Sequence, residues 1–167
     1  RQGVKFSNGT ELTPEIVKDS IQRSIDNNSR GGDLKIANIE VDGENVVFTT
    51  DGAYSAFVSQ LTEPMTVIVD TTADTSNYDT MPICTGPYAV SEYVSEEKIE
   101  LVANENYWDG EVPLDKVTLK CVDDQTTRSM ALQTGEIDIA YNLKTENLVE
   151  FEGNDNYDIQ ELQSLRS

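Results

Sequence analysis

The sequence predicts an α/β fold of the mixed α+β kind, with a mixed sheet and flanking helices. Three observations lead to this prediction. A strong helix start stands at Thr13-Pro14, an alternating hairpin pattern occupies residues 88–103, and strands and helices alternate without a regular βαβ repeat. The 167 residues suffice for one ordinary domain. A hydrophobic content of 37% indicates a thin core, or a core completed by other sequence.

The chain opens with a predicted strand, turn and helix. Residues 4–6 alternate like a short strand, and Asn8-Gly9 predicts a tight turn. Thr13 is a suitable N-cap, and Pro14 suits the first helical position. The polar stretch 27–32 should end the helix. Its apolar residues repeat on one face, namely Ile16, Val17, Ile21 and Ile25.

The middle of the chain reads as short elements around a polar loop. Apolar alternation and the Asp42-Gly43 turn predict a pair of strands. The segment rich in Thr, Asp and Ser predicts an exposed loop. In order we expect strands at 34–40 and 45–50, a short helix at 53–61, a strand at 66–69 and the loop at 70–80.

The second half begins with the hairpin and then alternates between helices and strands. Asp123 or Asp124 is a good N-cap, and Gly135 is a natural residue just past a helix end. The expected elements are the hairpin strands 88–94 and 98–103, a loop with aromatic residues at 104–110, a strand at 115–122, a helix to Thr134, a strand at 137–141, a helix at 142–152 and an extended segment at 157–162.

Charge and composition exclude several functions. Acidic residues outnumber basic ones by 31 to 12, and the net charge of −19 repels phosphate backbones and anionic lipid, so neither nucleic acid nor a membrane surface is an expected partner. Histidine is absent, which removes the commonest metal ligand and general base. We therefore expect no catalytic residues, no metal ligands and no cofactor. No apolar run approaches the length of a membrane span.

The two cysteines lie in different contexts. Cys121 alternates with Val117 and Leu119 in a strand-like run, which predicts a buried side chain. Cys84 precedes the Thr85-Gly86-Pro87 sequence in a predicted loop. One pair in a chain of this size does not require a disulfide, so we expect two free thiols.

Four segments of the sequence stand out together. They are Val4 to Val17, Thr85 to Tyr88, Asn104 to Trp108 with Pro113 to Val117, and Asp124 to Ala140, which contains Ala131-Leu132-Gln133-Thr134-Gly135-Glu136-Ile137-Asp138. Together they resemble a single family, the type-5 extracellular solute-binding proteins, which includes oligopeptide-, dipeptide- and nickel-binding proteins. Each segment alone is weak, but all four occur in the family's order and at compatible spacing. Most of these residues make turns, caps and corners, so they point to the fold more than to the ligand.

The resemblance implies a lobe of a periplasmic-binding-protein type II fold, with the second lobe missing from this chain. It divides the chain into residues 1–85, an extra subdomain of the first lobe, and 86–167, a hairpin returning to the main sheet. Arg1 stands inside a strand-like run, and we expect a piece of a longer protein. The implied ligand-binding residues, on the first-lobe side of the cleft, are Thr85, Gly86, Tyr88, Tyr141 and Asn142.

The function implied by the resemblance is capture of a solute by the binding subunit of an ABC importer. Oligopeptide is the first expectation for the solute, and a nickel chelate is the second. The partners would be the ABC permease subunits, with membrane contact only through a lipid anchor outside this chain. The protein would act at the outer face of the cytoplasmic membrane, as a lipoprotein, or in the periplasm.

Two other classes of function remain open from the residues alone. An enzyme would need acids such as Asp123-Asp124, or the group Asp70, Asp74 and Asp79, as catalytic or metal-binding carboxylates. The helix cap explains the first pair better, and the second group lacks the glycine and final glutamate of a calcium loop. An adhesion or interaction module on the cell surface would also fit the acidic charge.

Overall fold

The computed structural model describes residues 1–161 and contains two compact units, Arg1–Leu119 and a second that begins at Lys120. The first unit contains helices and strands, and the second is mainly helix and loop. The chain as a whole therefore has the predicted mixed composition. The predicted boundary near residue 85 stays a prediction. The described helices and strands are, in order, α1 (Pro14–Asn27), β1 (Ile36–Asp42), β2 (Asn45–Thr50), α2 (Phe57–Gln60), β3 (Tyr88–Val94), β4 (Lys98–Ala103), β5 (Lys116–Lys120), α3 (Gln125–Gln133) and α4 (Thr145–Leu148), with short 3-10 turns at Gly31–Leu34 and Pro64–Thr66.

Helix α1 starts where the cap predicts. The Thr13 hydroxyl accepts a hydrogen bond from the backbone N–H of Ile16, and Pro14 occupies the first turn. The helix buries Ile16 and Ile21 on one face. Ser20, on the same face, is 1% exposed and donates to the carbonyl of Val67. This helix therefore fixes the segment around Val67 and Val69 that leads toward Asp70.

Two sheets form within the described residues. Strands β1 and β2 pair antiparallel around the predicted Asp42-Gly43 turn. Strands β3, β4 and β5 form a three-stranded sheet in that order, and the β3–β4 hairpin has the predicted bounds. In this hairpin Lys98 lies between two glutamates and contacts Glu92 at 2.7 Å and Glu100 at 2.9 Å. The ion pairs raise the pKa of Lys98.

The core of the first unit is small and lies under the N-terminal segment. Phe6 and Leu34 have no exposed surface. Around them are buried Val4, Ile16, Ile21, Ile39 and Val69. The second unit has a smaller cluster, in which Phe151 is 3% exposed and meets Tyr157 edge to face at 4.8 Å. The low hydrophobic content of the sequence corresponds to these thin cores.

Several predicted elements are wrong. Thr66 to Val69 is not a strand: Thr66 is the last residue of a 3-10 turn, and Val69 makes only an isolated bridge with Cys84. Ile137 to Tyr141 has no regular structure, because within the described part of this unit no segment pairs with it. The helix expected at 142–152 is shorter than predicted, since only α4 (Thr145–Leu148) forms there. Residues 157–161 have no strand partner, and Leu162 lies outside the described residues.

Two burial predictions are also wrong. Cys121 is exposed rather than buried, since β5 ends one residue before it. The loop 70–80 is not exposed throughout, because Asp70 has no exposed surface and Tyr78 is 6% exposed. Both cysteines are free, as expected.

Candidate functional site

Thr85, Gly86 and Tyr88 lie in a sharp corner that leads into β3. Thr85 and Gly86 are half-buried bends, and Tyr88 is the half-buried first residue of the strand. The corner is held from the inside by Asn104. Its side-chain amide donates to the Gly86 carbonyl at 2.8 Å, and its backbone N–H donates to the Pro87 carbonyl at 2.9 Å. The predicted residues of this corner are thus consecutive and firmly positioned.

The start of the chain supports the other side of the corner. The backbone N–H of Ser7 donates to the Cys84 carbonyl at 2.9 Å. The side chain of Asn106 donates to the Ser7 carbonyl at 3.3 Å, and its own N–H donates to the Asn104 side chain at 2.9 Å. Three segments far apart in sequence therefore meet at residues 84–87.

A buried carboxylate lies next to this corner. The Asp70 side chain accepts hydrogen bonds from the backbone N–H of Thr72 at 3.0 Å, the Thr72 hydroxyl at 2.6 Å and the Asn8 amide at 2.7 Å. Its backbone N–H donates to the Ile83 carbonyl at 2.9 Å, and its carbonyl accepts from the Tyr78 hydroxyl. Asp70 thereby ties the N-terminal turn to the segment that enters the corner.

The ionisation of this carboxylate follows from its contacts. Burial raises the pKa of Asp70, but the hydrogen bonds from Thr72 and Asn8 outweigh it, and the pKa lies below its ordinary value. The carboxylate is therefore charged at neutral pH, and both of its oxygens accept hydrogen bonds within the protein. This arrangement describes a structural anchor, and it gives the carboxylate no free oxygen facing solvent with which to attack or deprotonate a substrate.

Sequence reasoning missed Asp70 and Asn104 as the residues that position the corner. The sequence pattern places Asp70 in an exposed polar loop, because a run of Thr, Asp and Ser is typical of a solvated segment. The available signal is the Asp70-Thr71-Thr72 spacing, in which a side-chain oxygen accepts from the N–H two residues on. Asn104 and Asn106 carry the same signal, since Asn106 N–H donates to the Asn104 side chain.

Tyr141 and Asn142 belong to the second unit. Tyr141 is 80% exposed, and Asn142 has a left-handed backbone with φ 60°. Tyr141 ends the segment for which the sequence predicts a strand, and that segment is irregular. Both side chains are thus available on the surface of this unit, and their role in binding stays a prediction.

Groups for nucleophilic or metal chemistry are sparse in the part of the chain that the structure describes. No group of three or more Cys, Asp or Glu side chains is placed to hold a metal ion among residues 1–161. Burial raises the pKa of the Cys84 thiol, which keeps it protonated at neutral pH. Asp124 caps α3 through Thr127 at 2.7 Å, as predicted for that pair of acids.

In residues 1–161 no helix combines the length and the apolar character needed to cross a membrane. With the mixed fold and the anchored corner described, the molecule can be compared with known proteins. The fold is that of part of a solute-binding protein. The sequence model described as "Bacterial extracellular solute-binding proteins, family 5 Middle" matches residues 1–167, and the chain belongs to this family.

Relatives and solved structures agree with this assignment. The chain is 30% identical to the nickel-binding protein NikA of Staphylococcus aureus, with 100% of this chain and 34% of that protein aligned. It is 30% identical to the glutathione-binding protein GsiB of Shigella flexneri, over 99% of this chain and 34% of that one. The chain therefore spans about a third of the length of these relatives.

Among solved structures, the nickel ABC transporter protein from Bacillus halodurans superposes with a TM-score of 0.86 at 36% identity, covering 93% of this chain and 32% of that chain. NikA from S. aureus in complex with Ni(L-His)2 superposes with a TM-score of 0.87 at 30% identity, over 93% and 34%. These superpositions confirm the predicted fold class and the family resemblance.

Proposed function

We propose that this chain is part of the substrate-binding subunit of an ABC importer. That subunit captures a small solute outside the cytoplasmic membrane and delivers it to the permease subunits. Membership of the extracellular solute-binding family is the observation that carries the proposal. In this role the protein works by closing over its ligand, and it makes or breaks no covalent bond. Attachment to the membrane would come from a lipid anchor outside this chain, unless the protein is free in the periplasm.

We propose a nickel chelate as the cargo, ahead of the oligopeptide that the sequence resemblance first favours. The support is the 36% identity to a nickel transporter protein and the 30% identity to a NikA whose structure holds Ni(L-His)2. This chain has no histidine. A chelator that brings its own nitrogen ligands removes the need for histidine here, because imidazole is a preferred ligand of nickel.

Short peptides are the second candidate cargo. The chain is 30% identical to a glutathione-binding protein, and a DppA from Helicobacter pylori in complex with the peptide STSA superposes with a TM-score of 0.67 at 26% identity. Glutathione and nickel–amino acid complexes share carboxylate and amine groups. The same backbone and hydroxyl contacts would serve for either.

The proposed contact residues are Thr85, Gly86 and Tyr88 in the first unit and, separately, Tyr141 and Asn142 in the second. Gly86 is the position at which a substitution tests this surface. Its φ is outside the left-handed region, and a Cβ added to it would meet no atom within 4 Å. The described chain therefore tolerates a side chain at this position. A ligand lying close to this backbone would collide with one, because only glycine leaves that surface bare.

Titration calorimetry on the full-length protein tests the cargo. Ni(L-His)2 should bind and raise the melting temperature, and it should bind more tightly than hydrated Ni²⁺, which brings no imidazole of its own and finds none in residues 1–167. A ligand at a hundred times its Kd adds about 2.7 kcal/mol to the free energy of unfolding. Tight binding of tripeptides or glutathione with none of Ni(L-His)2 would reverse the order of the two cargoes. Binding of neither class would reject the proposal.

Gly86→Ala tests the contact surface separately. We expect unchanged thermal stability and a clear loss of affinity, because the new methyl group occupies the space of the ligand. Gly32→Ala is the matched control, since Gly32 also has open space and an ordinary φ but lies in an exposed turn after α1. Equal affinity of the two variants would remove residues 85–88 from the binding surface while leaving the cargo assignment intact.

A further inference from the structure

The turn at Asn8-Gly9 contains the one Asn-Gly pair of the sequence. It joins Lys5 to Glu11, which form an isolated antiparallel bridge, and Gly9 has a φ of 90°. Asn-Gly pairs are chemically labile, because glycine has no side chain to hinder attack of its own backbone nitrogen on the neighbouring side-chain amide. The pair is therefore a candidate for modification without any enzyme.

The reaction is deamidation. The Gly9 backbone nitrogen loses its proton and bonds to Cγ of Asn8, and the bond from Cγ to the amide nitrogen breaks, which releases ammonia and leaves a cyclic imide. Water then opens the imide on either side, giving Asp or isoaspartate at position 8. One water is consumed, one ammonia is released, and no oxidant or reductant takes part.

The folded structure opposes each requirement of this reaction. The Asn8 amide nitrogen donates to the Asp70 carboxylate at 2.7 Å. The Asn8 side-chain oxygen accepts from the Thr10 N–H at 3.0 Å. The Gly9 N–H, which must lose its proton, donates to the Phe6 carbonyl at 2.9 Å. Cγ of Asn8 cannot rotate toward the Gly9 nitrogen until the first two hydrogen bonds break.

We propose that Asn8 is a deamidation site that the buried carboxylate of Asp70 keeps locked in the folded protein. Asp70 is the strongest of the three restraints, because hydrogen bonds to a charged acceptor are stronger than neutral ones. The lock also makes the modification consequential. Once position 8 carries a carboxylate, two carboxylates meet where a 2.7 Å hydrogen bond stood, and their repulsion detaches the N-terminal turn from the segment that enters the Thr85-Gly86 corner.

Peptide mapping by mass spectrometry tests the proposal. The full-length protein is incubated at mildly alkaline pH, folded or in urea, and the Asn8 peptide is followed for loss of NH2 in favour of OH and for isoaspartate. The folded protein should react at least about tenfold more slowly than the unfolded one, a ratio that corresponds to about 1.4 kcal/mol. Asp70→Ala should raise the folded rate several-fold toward the unfolded rate, with the hydrogen bonds to Thr10 and Phe6 still slowing the reaction. Asp70→Asn gives the same test with a smaller disturbance of the loop.

Ser20→Ala is the matched control. It also removes buried hydrogen bonds, to Val67 and from Val69, but does not touch Asn8. A Ser20→Ala rate equal to that of wild type supports a local lock at Asp70. The proposal is overturned if folded and unfolded wild type react equally fast, if Ser20→Ala accelerates the reaction as much as the Asp70 variants do, or if Asn8 stays intact even in urea.

Discussion

Replacing Asp70 by asparagine should loosen the corner that precedes β3. The amide oxygen of the new side chain retains the two hydrogen bonds from Thr72, but its NH2 group turns toward the NH2 of Asn8, so a charge-assisted bond of 2.7 Å becomes a donor–donor contact. A hydrogen bond to a charged group contributes about 1.5–3 kcal/mol. Asn8 is exposed, so its amide can turn to water and is not left without a partner. We therefore expect the free energy of unfolding to fall by about 2 kcal/mol.

Exchanging the two side chains should restore most of this loss. In the Asn8→Asp, Asp70→Asn double variant, the amide introduced at position 70 donates to the new carboxylate at position 8, which still accepts from the Thr10 N–H. Asn8→Asp alone places two carboxylates together and should destabilise the corner at neutral pH. The double-mutant cycle should therefore give a favourable coupling energy of about 1–3 kcal/mol.

Hydrogen exchange in the folded protein measures this local effect. The backbone amides of Ser7 and Asn104 donate to Cys84 and Pro87, so they report directly on the corner. A loss of about 2 kcal/mol should accelerate their exchange roughly thirtyfold. Asp74→Asn is the control, since Asp74 is exposed in the same loop. Unchanged exchange in Asp70→Asn, or a double variant as unstable as the sum of the single ones, would refute the reasoning.

The same carboxylate gives a defined dependence on pH. Its pKa is lowered in the folded state, so it contributes stability above the unfolded pKa of about 3.9 and loses that contribution as the pH falls further. The difference in unfolding free energy between wild type and Asp70→Asn should be constant near neutral pH. The difference should shrink below about pH 4, because the Asp70 carboxylate of the wild type is then protonated and, like the amide, uncharged. A difference that does not change between neutral and acidic pH would contradict this account.

Two further substitutions probe the support of the first unit. Gly31→Ala should cost about 3 kcal/mol in urea unfolding, because the added Cβ would lie 2.3 Å from the carbonyl oxygen of Ile25, whereas Gly32→Ala should be nearly neutral. Equal stabilities of the two variants would count against this contact. Ser20→Ala should cost about 2 kcal/mol, because it leaves a buried carbonyl and a buried N–H without their partner. Ser24→Ala, on the same helix face, should cost much less, and a reversed order would show that packing dominates.

The elements predicted correctly are those whose signals are local. The Thr13 and Asp124 caps depend on residues three positions apart, and the 88–103 hairpin joins two consecutive strands through a short turn. All three form as expected. The predicted strand at Ile137 to Tyr141 fails because alternation is necessary for a strand but not sufficient. It also needs a partner strand, which the residues themselves do not specify.

The candidate site is only partly accessible from sequence. The resemblance to the family locates Thr85-Gly86, and the structure adds what holds it in place. Asn104 and Asp70 act across 18 and 62 residues, to Gly86 and Asn8 respectively. Such separations give no periodic pattern and no compositional signal. The prediction for Asp70 fails for a related reason, since nothing in a run of Asp and Thr indicates that one carboxylate is enclosed by donors.

The corner at residues 84–87 also constrains the order in which the first unit assembles. The hydrogen bond from Asn106 to Ser7 spans 99 residues, so closing it requires nearly the whole unit to be present. During synthesis, helix α1 and the hairpin can form from local contacts while the corner stays open. We therefore expect the corner to close last, which leaves the first unit loosely structured until residues 104–106 have been added to the chain.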